Sequence, residues 1–236
     1  MSNLVFLQKE LQSLKNEKQA EVLQRFFKTG KGQYGEGDVF LGIKVPVQRK
    51  VAQKYSVLSL IEIQKLLNSK IHEFRLTALF ILITKYNRGE EKEKKNIFEL
   101  YLKNTKNINN WDLVDLSAPN IVGKHLLQKN RTILYELARS KNLWKERIAI
   151  LATFEFIKNG ESKDTLAIAR ILLGSDRDLI HKAVGWMLRE IGKRIGEAEE
   201  EKFLKIHYRK MPRTMLRYAI ERFEEGKRKK YLYGQI

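Results

Sequence analysis

Apolar residues in this chain recur at intervals of three and four almost from end to end, and no stretch sustains an alternation of period two. Leu76, Leu79, Phe80 and Ile83 keep the helical spacing within 74–86, and Ile150, Leu151, Phe154 and Ile157 keep it within 143–157. Helix breakers are scarce. The 236 residues include three prolines, against an average usage of about 5%. Pro46, Pro119 and Pro212 each precede an amphipathic run, which suits the first helical position, where a missing N–H costs nothing. Gly, Asn and Ser punctuation at 87–89, 159–162 and 174–176 divides the rest into about a dozen helices.

Successive helices with short links predict an all-α fold, an α-solenoid of HEAT-like antiparallel helix pairs with a concave basic face. No clean repeat of 34 or 40 residues is present, so an ordinary helical bundle competes with a degenerate HEAT-like array. The expected organisation is one helical-repeat domain over 1–236 with a basic C-terminal tail at about 224–236. One interruption stands out. Segment 29–38 holds four of the fourteen glycines, with Gly30, Gly32 and Gly35 in G-x-G-x-x-G register. That fingerprint binds dinucleotides only between a strand and a helix, and 19–28 is helical in pattern. A Walker loop fails too, because Gly42 is followed by Ile43 and Lys44. The segment reads as a mobile connector, with contact to a phosphate backbone as the other reading.

Charge narrows the partners. The 46 Lys+Arg and 28 Asp+Glu give +18, which calls for a polyanion, either nucleic acid or an anionic membrane. No apolar run reaches the roughly 18 residues of a membrane span, and 1–15 lacks the pattern of a signal peptide. A cytoplasmic protein that binds nucleic acid is expected, without membrane contact. From Lys202 to the end, eleven Lys+Arg oppose three Glu, a run that is as consistent with a solvated end as with a binding surface. The segment 180–193 is more informative. Ile180, Val184, Met187, Leu188 and Ile191 share one side of a helix, whereas Lys182, Trp186, Arg189 and Lys193 fall on roughly the opposite side. Cations interleaved with an aromatic suit a nucleic-acid surface; the competing reading is that a second helical layer covers that side.

Catalytic chemistry can be thinned by elimination. There is no cysteine, hence no disulfide, thiol nucleophile or thiolate metal site. His72, His125, His181 and His207 show no H-x-x-x-H spacing, so no metal is expected, and no G-x-S-x-G elbow occurs. Carboxylates remain, most of them in solvated stretches. In 109–116 Asp112 reads as a first-turn acid, favourable at the positive end of a helix. Asp115 follows Trp111 by four residues, on the same helical face, and sits among Leu113, Val114 and Leu116. A carboxylate there needs a cation or a chemical task; an ion pair with Arg147 and a functional role are equally consistent with the pattern.

Asn110-Trp111-Asp112-Leu113-Val114-Asp115, then 144–151 around Arg147, then Lys182-Ala183-Val184-Gly185-Trp186-Met187-Leu188-Arg189-Glu190, in this order, together resemble the AlkD family of alkylpurine DNA glycosylases. Phe40-Leu41-Gly42-Ile43 with Pro46 resembles the family's N-terminal signature, while the glycine-rich connector and Lys44 depart from it. The resemblance implies HEAT-like repeats and hydrolysis of the bond between deoxyribose and an N3- or N7-alkylated purine in duplex DNA. It implies Asp115 as the catalytic carboxylate, Trp111 and Trp186 packed on the sugar, and Arg147 on the DNA backbone. Lys182, Arg189 and Lys193 would add DNA contacts beside Trp186.

The chemistry is coherent. An alkylated purine already carries positive charge and leaves without a general acid, so one carboxylate can suffice where ordinary glycosidases use two. No metal or organic cofactor is required, nothing in the sequence points to a lyase step, and a monomeric enzyme is expected. A non-catalytic HEAT-like scaffold or nucleic-acid-binding module is the alternative.

Overall fold

The computed structural model describes residues 2–236. Among these there is no β-strand, only an isolated parallel bridge between Val39 and Ile71. The all-α fold class expected from the periodicity is the one observed. The chain forms two compact units, Met1–Ser117 and Ala118–Ile236.

The first unit is built from α1 (Asn3–Ser13), α2 (Glu17–Phe26), α3 (Val45–Lys54), α4 (Leu60–Leu67), α5 (His72–Arg88), α6 (Glu91–Lys103) and α7 (Trp111–Ala118). Helix α5 is its axis, packed against α1, α3, α4 and α6, and every residue from His72 to Leu82 is buried. A helix covered on all sides belongs in the core. Thr77, Ile81, Ile83 and Thr84 are β-branched and cost a few tenths of a kcal/mol each in helix propensity, whereas burying each Leu or Phe contributes about 1.5–3 kcal/mol. Burial decides.

The Phe40–Ile43 signature crosses the start of α5. The Glu73 carboxylate accepts hydrogen bonds from the backbone N–H groups of Leu41 (2.9 Å), Gly42 (2.8 Å) and Ile43 (3.3 Å). Gly42 has φ +84°, and a Cβ there would lie 2.1 Å from the Asn16 carbonyl oxygen. The glycine of the signature is therefore required by close backbone approach, and the buried glutamate satisfies N–H groups that have no helix to bond to.

The glycine-rich segment differs from the mobile connector expected. Its turns are closed by Gly30 N–H to Gln33 Oε1 (3.0 Å), Gly32 N–H to Glu36 Oε2 (2.8 Å) and Gly35 N–H to the Lys28 carbonyl (3.1 Å). At its end Asp38 is buried and bonded to α5, and Val39 exchanges backbone hydrogen bonds with the 70–72 turn. Long-range anchoring of this kind has no signature in a run of glycines.

The second unit contains a π turn (Pro119–Gly123), α8 (Lys124–Leu126), α9 (Thr132–Ala138), α10 (Leu143–Ala152), α11 (Phe154–Lys158), α12 (Lys163–Leu172), α13 (Asp178–Arg194), α14 (Glu197–His207), α15 (Arg213–Ala219) and α16 (Glu225–Tyr233). Pro46 lies in the first turn of α3 and Pro212 caps α15, as the sequence suggests. Pro119 does not start a new α-helix. Ala118 before it is already α-helical, and the π turn accommodates the ring and the missing N–H inside continuing helical backbone.

Helix α13 is the axis here, packing against α10, α12, α14 and α15. A Cβ on Gly185 would fall 2.4 Å from the Met215 carbonyl, so the glycine sets how closely α13 and α15 approach. The basic end is ordered as α16. Lys227 pairs with Glu197 (2.7 Å) and Glu201 (2.8 Å), and Tyr231 is buried with its hydroxyl donating to Glu201 (2.9 Å). Part of the C-terminal positive charge is thereby neutralised within the fold.

Candidate functional site

In the first unit the site is organised around the start of α7. Asn110 is fully buried and its side-chain oxygen accepts the Trp111 N–H (2.8 Å). Asp112 accepts the Leu113 N–H through Oδ1 and bonds His72 Nε2 through Oδ2 at 2.8 Å. His72 Nδ1 faces Asp38 Oδ2 at 3.2 Å, and Arg75 donates to the other Asp38 oxygen at 2.7 Å. Two carboxylates and two cations thus form a closed, charge-balanced buried network. Burial alone would push the His72 imidazole down, but the Asp112 charge and the hydrogen bonds to Asp112 and Asp38 outweigh it and lift the group to about 9. Burial likewise pushes the Asp38 carboxyl up, and is overcome by His72 and Arg75, which hold it below its ordinary value. Asp112 is therefore more than the first-turn acid read from the sequence. It ties α7 to α5.

Aromatic rings build the other wall. Phe27 stacks on Phe40 (5.1 Å) and on Trp111 (5.0 Å), and Phe40 stacks on His72 (4.4 Å). Phe26 meets Trp111 edge-on at 5.7 Å while remaining 60% exposed. Trp111 is partly buried on this platform, and Asp115, also partly buried, lies one turn further along α7. Tyr101 supports α7 from below, fully buried, with a 2.9 Å hydrogen bond between its hydroxyl and that of Ser117. Burial holds its phenol well above the usual range; the Ser117 hydrogen bond opposes this and the Asp115 charge adds to it. Asp115 thus sits near enough to Tyr101 for its charge to be felt.

In the second unit the predicted residues lie on α10 and α13. Arg147 is 5% exposed, and its guanidinium donates to the Leu179 carbonyl in the first turn of α13. On α13 the core stripe of Ile180, Val184, Met187, Leu188 and Ile191 is fully buried. Trp186 is partly buried, donates from Nε1 to Glu190 Oε1 (3.3 Å) and packs near Phe154. The cations do not behave alike. Lys182 pairs with Asp178 at 2.7 Å, Lys193 is exposed, and the Arg189 side chain, 20% exposed, is engaged with Glu221. Arg189 thus shares its charge with the exposed carboxylate of Glu221, where the 220–222 turn meets α13.

Two groups escaped the sequence reading. The Asp38–His72–Asp112–Arg75 network was invisible because its members come from three separated segments; the one signal was a charged H-E-x-R start, His72 to Arg75, on an apolar helix. Glu190 escaped because it closes the 182–190 motif without obvious chemistry. Among the described residues no cluster of His, Asp or Glu could hold a metal ion, and no helix is long and apolar enough to cross a membrane.

Fold and side chains define an all-helical protein with two groups of candidate residues, Trp111 and Asp115 on α7 in the first unit and Arg147 and Trp186 on α10 and α13 in the second. The family described as DNA alkylation repair enzyme matches residues 7–223, and the chain belongs to it. Its role is accordingly in DNA alkylation repair. A solved structure described as a predicted DNA alkylation repair enzyme from Enterococcus faecalis is similar, with a TM-score of 0.71 at 17% identity over 89% of this chain and 97% of that one. At that identity the likeness concerns the fold. No curated protein matches the chain.

Proposed function

We propose that the protein is a monofunctional DNA glycosylase that hydrolyses the N-glycosidic bond of N3- or N7-alkylated purines in duplex DNA. The observation that carries this reading is Asp115, one helical turn after Trp111, on a helix whose start is pinned by a buried ion network, in a chain of the alkylation-repair family. An alkylated purine departs as a neutral base and leaves an oxocarbenium-like sugar. The Asp115 carboxylate stabilises that cation and orients the attacking water. Trp111 and Trp186 pack on the sugar and offer indole faces to its charge. Arg147 holds the DNA backbone, and Lys182, Arg189 and Lys193 add to the positive surface. Of these three, Lys193 is the most accessible, so it can meet a phosphate without breaking an ion pair in which Lys182 and Arg189 are held. In this reading the enzyme is monomeric, uses no metal or organic cofactor, and works in the cytoplasm on nucleoid DNA.

The test is release of 7-methylguanine or 3-methyladenine from methylated duplex DNA by purified protein. Asp115→Asn is expected to abolish release, a loss of at least roughly 100-fold, with DNA affinity nearly unchanged. A wild-type protein that releases neither base would leave a non-catalytic DNA-binding protein in its place.

A further inference from the structure

Glu190 closes the 182–190 motif and has no part in the chemistry above. Its side chain is buried, and both oxygens are engaged: Oε1 accepts the Trp186 Nε1–H at 3.3 Å and Oε2 accepts the Arg194 Nε–H at 2.8 Å. Trp186, Glu190 and Arg194 follow one another at intervals of four, so they line one face of α13. Phe154 completes the cluster. Its ring centroid is 6.1 Å from that of Trp186 and lies under the Arg194 guanidinium (5.0 Å) and the Lys158 ammonium (5.5 Å).

A buried carboxylate needs a cation, and Arg194 supplies it. Binding an indole N–H as well is not required for that balance, because the Arg194 guanidinium already supplies the compensating charge. The hydrogen bond does two things to the ring. It fixes the plane of the indole, and a charged acceptor polarises the N–H so that electron density moves into the π system and the ring face becomes more negative. That face is what a neighbouring cation feels.

We propose that Glu190 is a positioning residue for Trp186, holding the indole plane and strengthening its negative face toward the sugar cation. The inference rests on the glycosylase reading. Single-turnover excision and DNA binding are to be measured for wild type, Glu190→Gln, Trp186→Phe and the double variant. Glu190→Gln should slow excision on the order of tenfold with Kd within about twofold, since the amide keeps an acceptor but loses its charge. In the Trp186→Phe background, which has no indole N–H, the same change should have an effect of less than about twofold. Effects that multiply, or an unchanged rate in Glu190→Gln, overturn the proposal, because a purely structural role would act independently of the indole.

A proton NMR measurement on the unmodified protein covers the other outcomes. The Trp186 indole N–H, identified by its loss in Trp186→Phe, should resonate downfield and exchange at least about tenfold more slowly than a free indole. Exchange at the free rate overturns the proposal even if Glu190→Gln fails to fold. If wild type releases no base, the glycosylase reading falls, and this measurement alone decides whether Glu190 holds the indole.

Discussion

Trp111 and Trp186 are held by different physics. Trp111 lies on a stack of Phe27, Phe40 and His72, with its helix fastened by ions that are almost completely buried. Trp186 has one ring neighbour at 6.1 Å and is oriented by a hydrogen bond to a carboxylate. The first arrangement makes geometry a by-product of the core, so it cannot be disturbed without loss of stability. The second rests on one hydrogen bond to a partly exposed ring, so its geometry can be lost while the fold survives.

The largest stability effect should therefore come from the first unit. Asp112→Asn breaks a buried pair and leaves His72 with Asp38 alone, at an expected cost of about 3–5 kcal/mol in denaturant unfolding. A loss below about 1 kcal/mol would show that the network is not what fixes α7. Next, Trp111→Ala should cost about 2 kcal/mol and Trp186→Ala about 1 kcal/mol, since only Trp111 lies in a packed aromatic cluster. Equal losses would erase the contrast. Trp186→Ala should slow excision more than it weakens binding. The smallest effect expected is for Phe26→Ala, within about 0.5 kcal/mol, because the ring is 60% exposed.

The same contrast appears in the response to pH. His72 is lifted from the ordinary imidazole value of 6.5 to about 9, so its stabilisation is complete below about 6.5 and is lost as pH rises through about 9. In the second unit burial beside Glu197 and Glu201 raises Glu200 from 4.5 to about 9. This group is neutral when folded and charged when unfolded, so it too withdraws stability as pH rises, beginning near 4.5. Thermal unfolding followed from pH 6 to 10 should fall in wild type. The portion above about 6.5 should shrink in His72→Gln, whereas Glu200→Gln should raise stability at pH 7. An unchanged slope in His72→Gln would mean that the imidazole is not charged in the core.

Legibility in the sequence follows the range of the interactions. Helical periodicity placed α5, α10 and α13 and the buried stripe from Ile180 to Ile191, because residues three and four apart share a face wherever the helix goes. The i, i+4 pair of Trp111 and Asp115 was legible for the same reason. Pro119 misled, because a proline marks a helix start only when no π turn absorbs it. The glycine-rich segment misled because a glycine run does not show that Asp38, at its end, is bonded to residues 34 and 37 positions away. Arg189 shared its predicted side with Trp186, and only the packing of α13 against the region of Glu221 set it apart.

An all-helical chain, its positive charge and the residue types at the motif positions follow from composition and local period alone. Which charges remain available was settled by long-range packing. It buried His72 between two carboxylates, turned Arg189 toward Glu221, folded the basic end into α16 against Glu197 and Glu201, and brought Glu190 to the Trp186 indole N–H. The physical reason is that an ion or hydrogen-bond partner is chosen by distance in space, and burial multiplies the energy of that choice in a way that no spacing along the chain records.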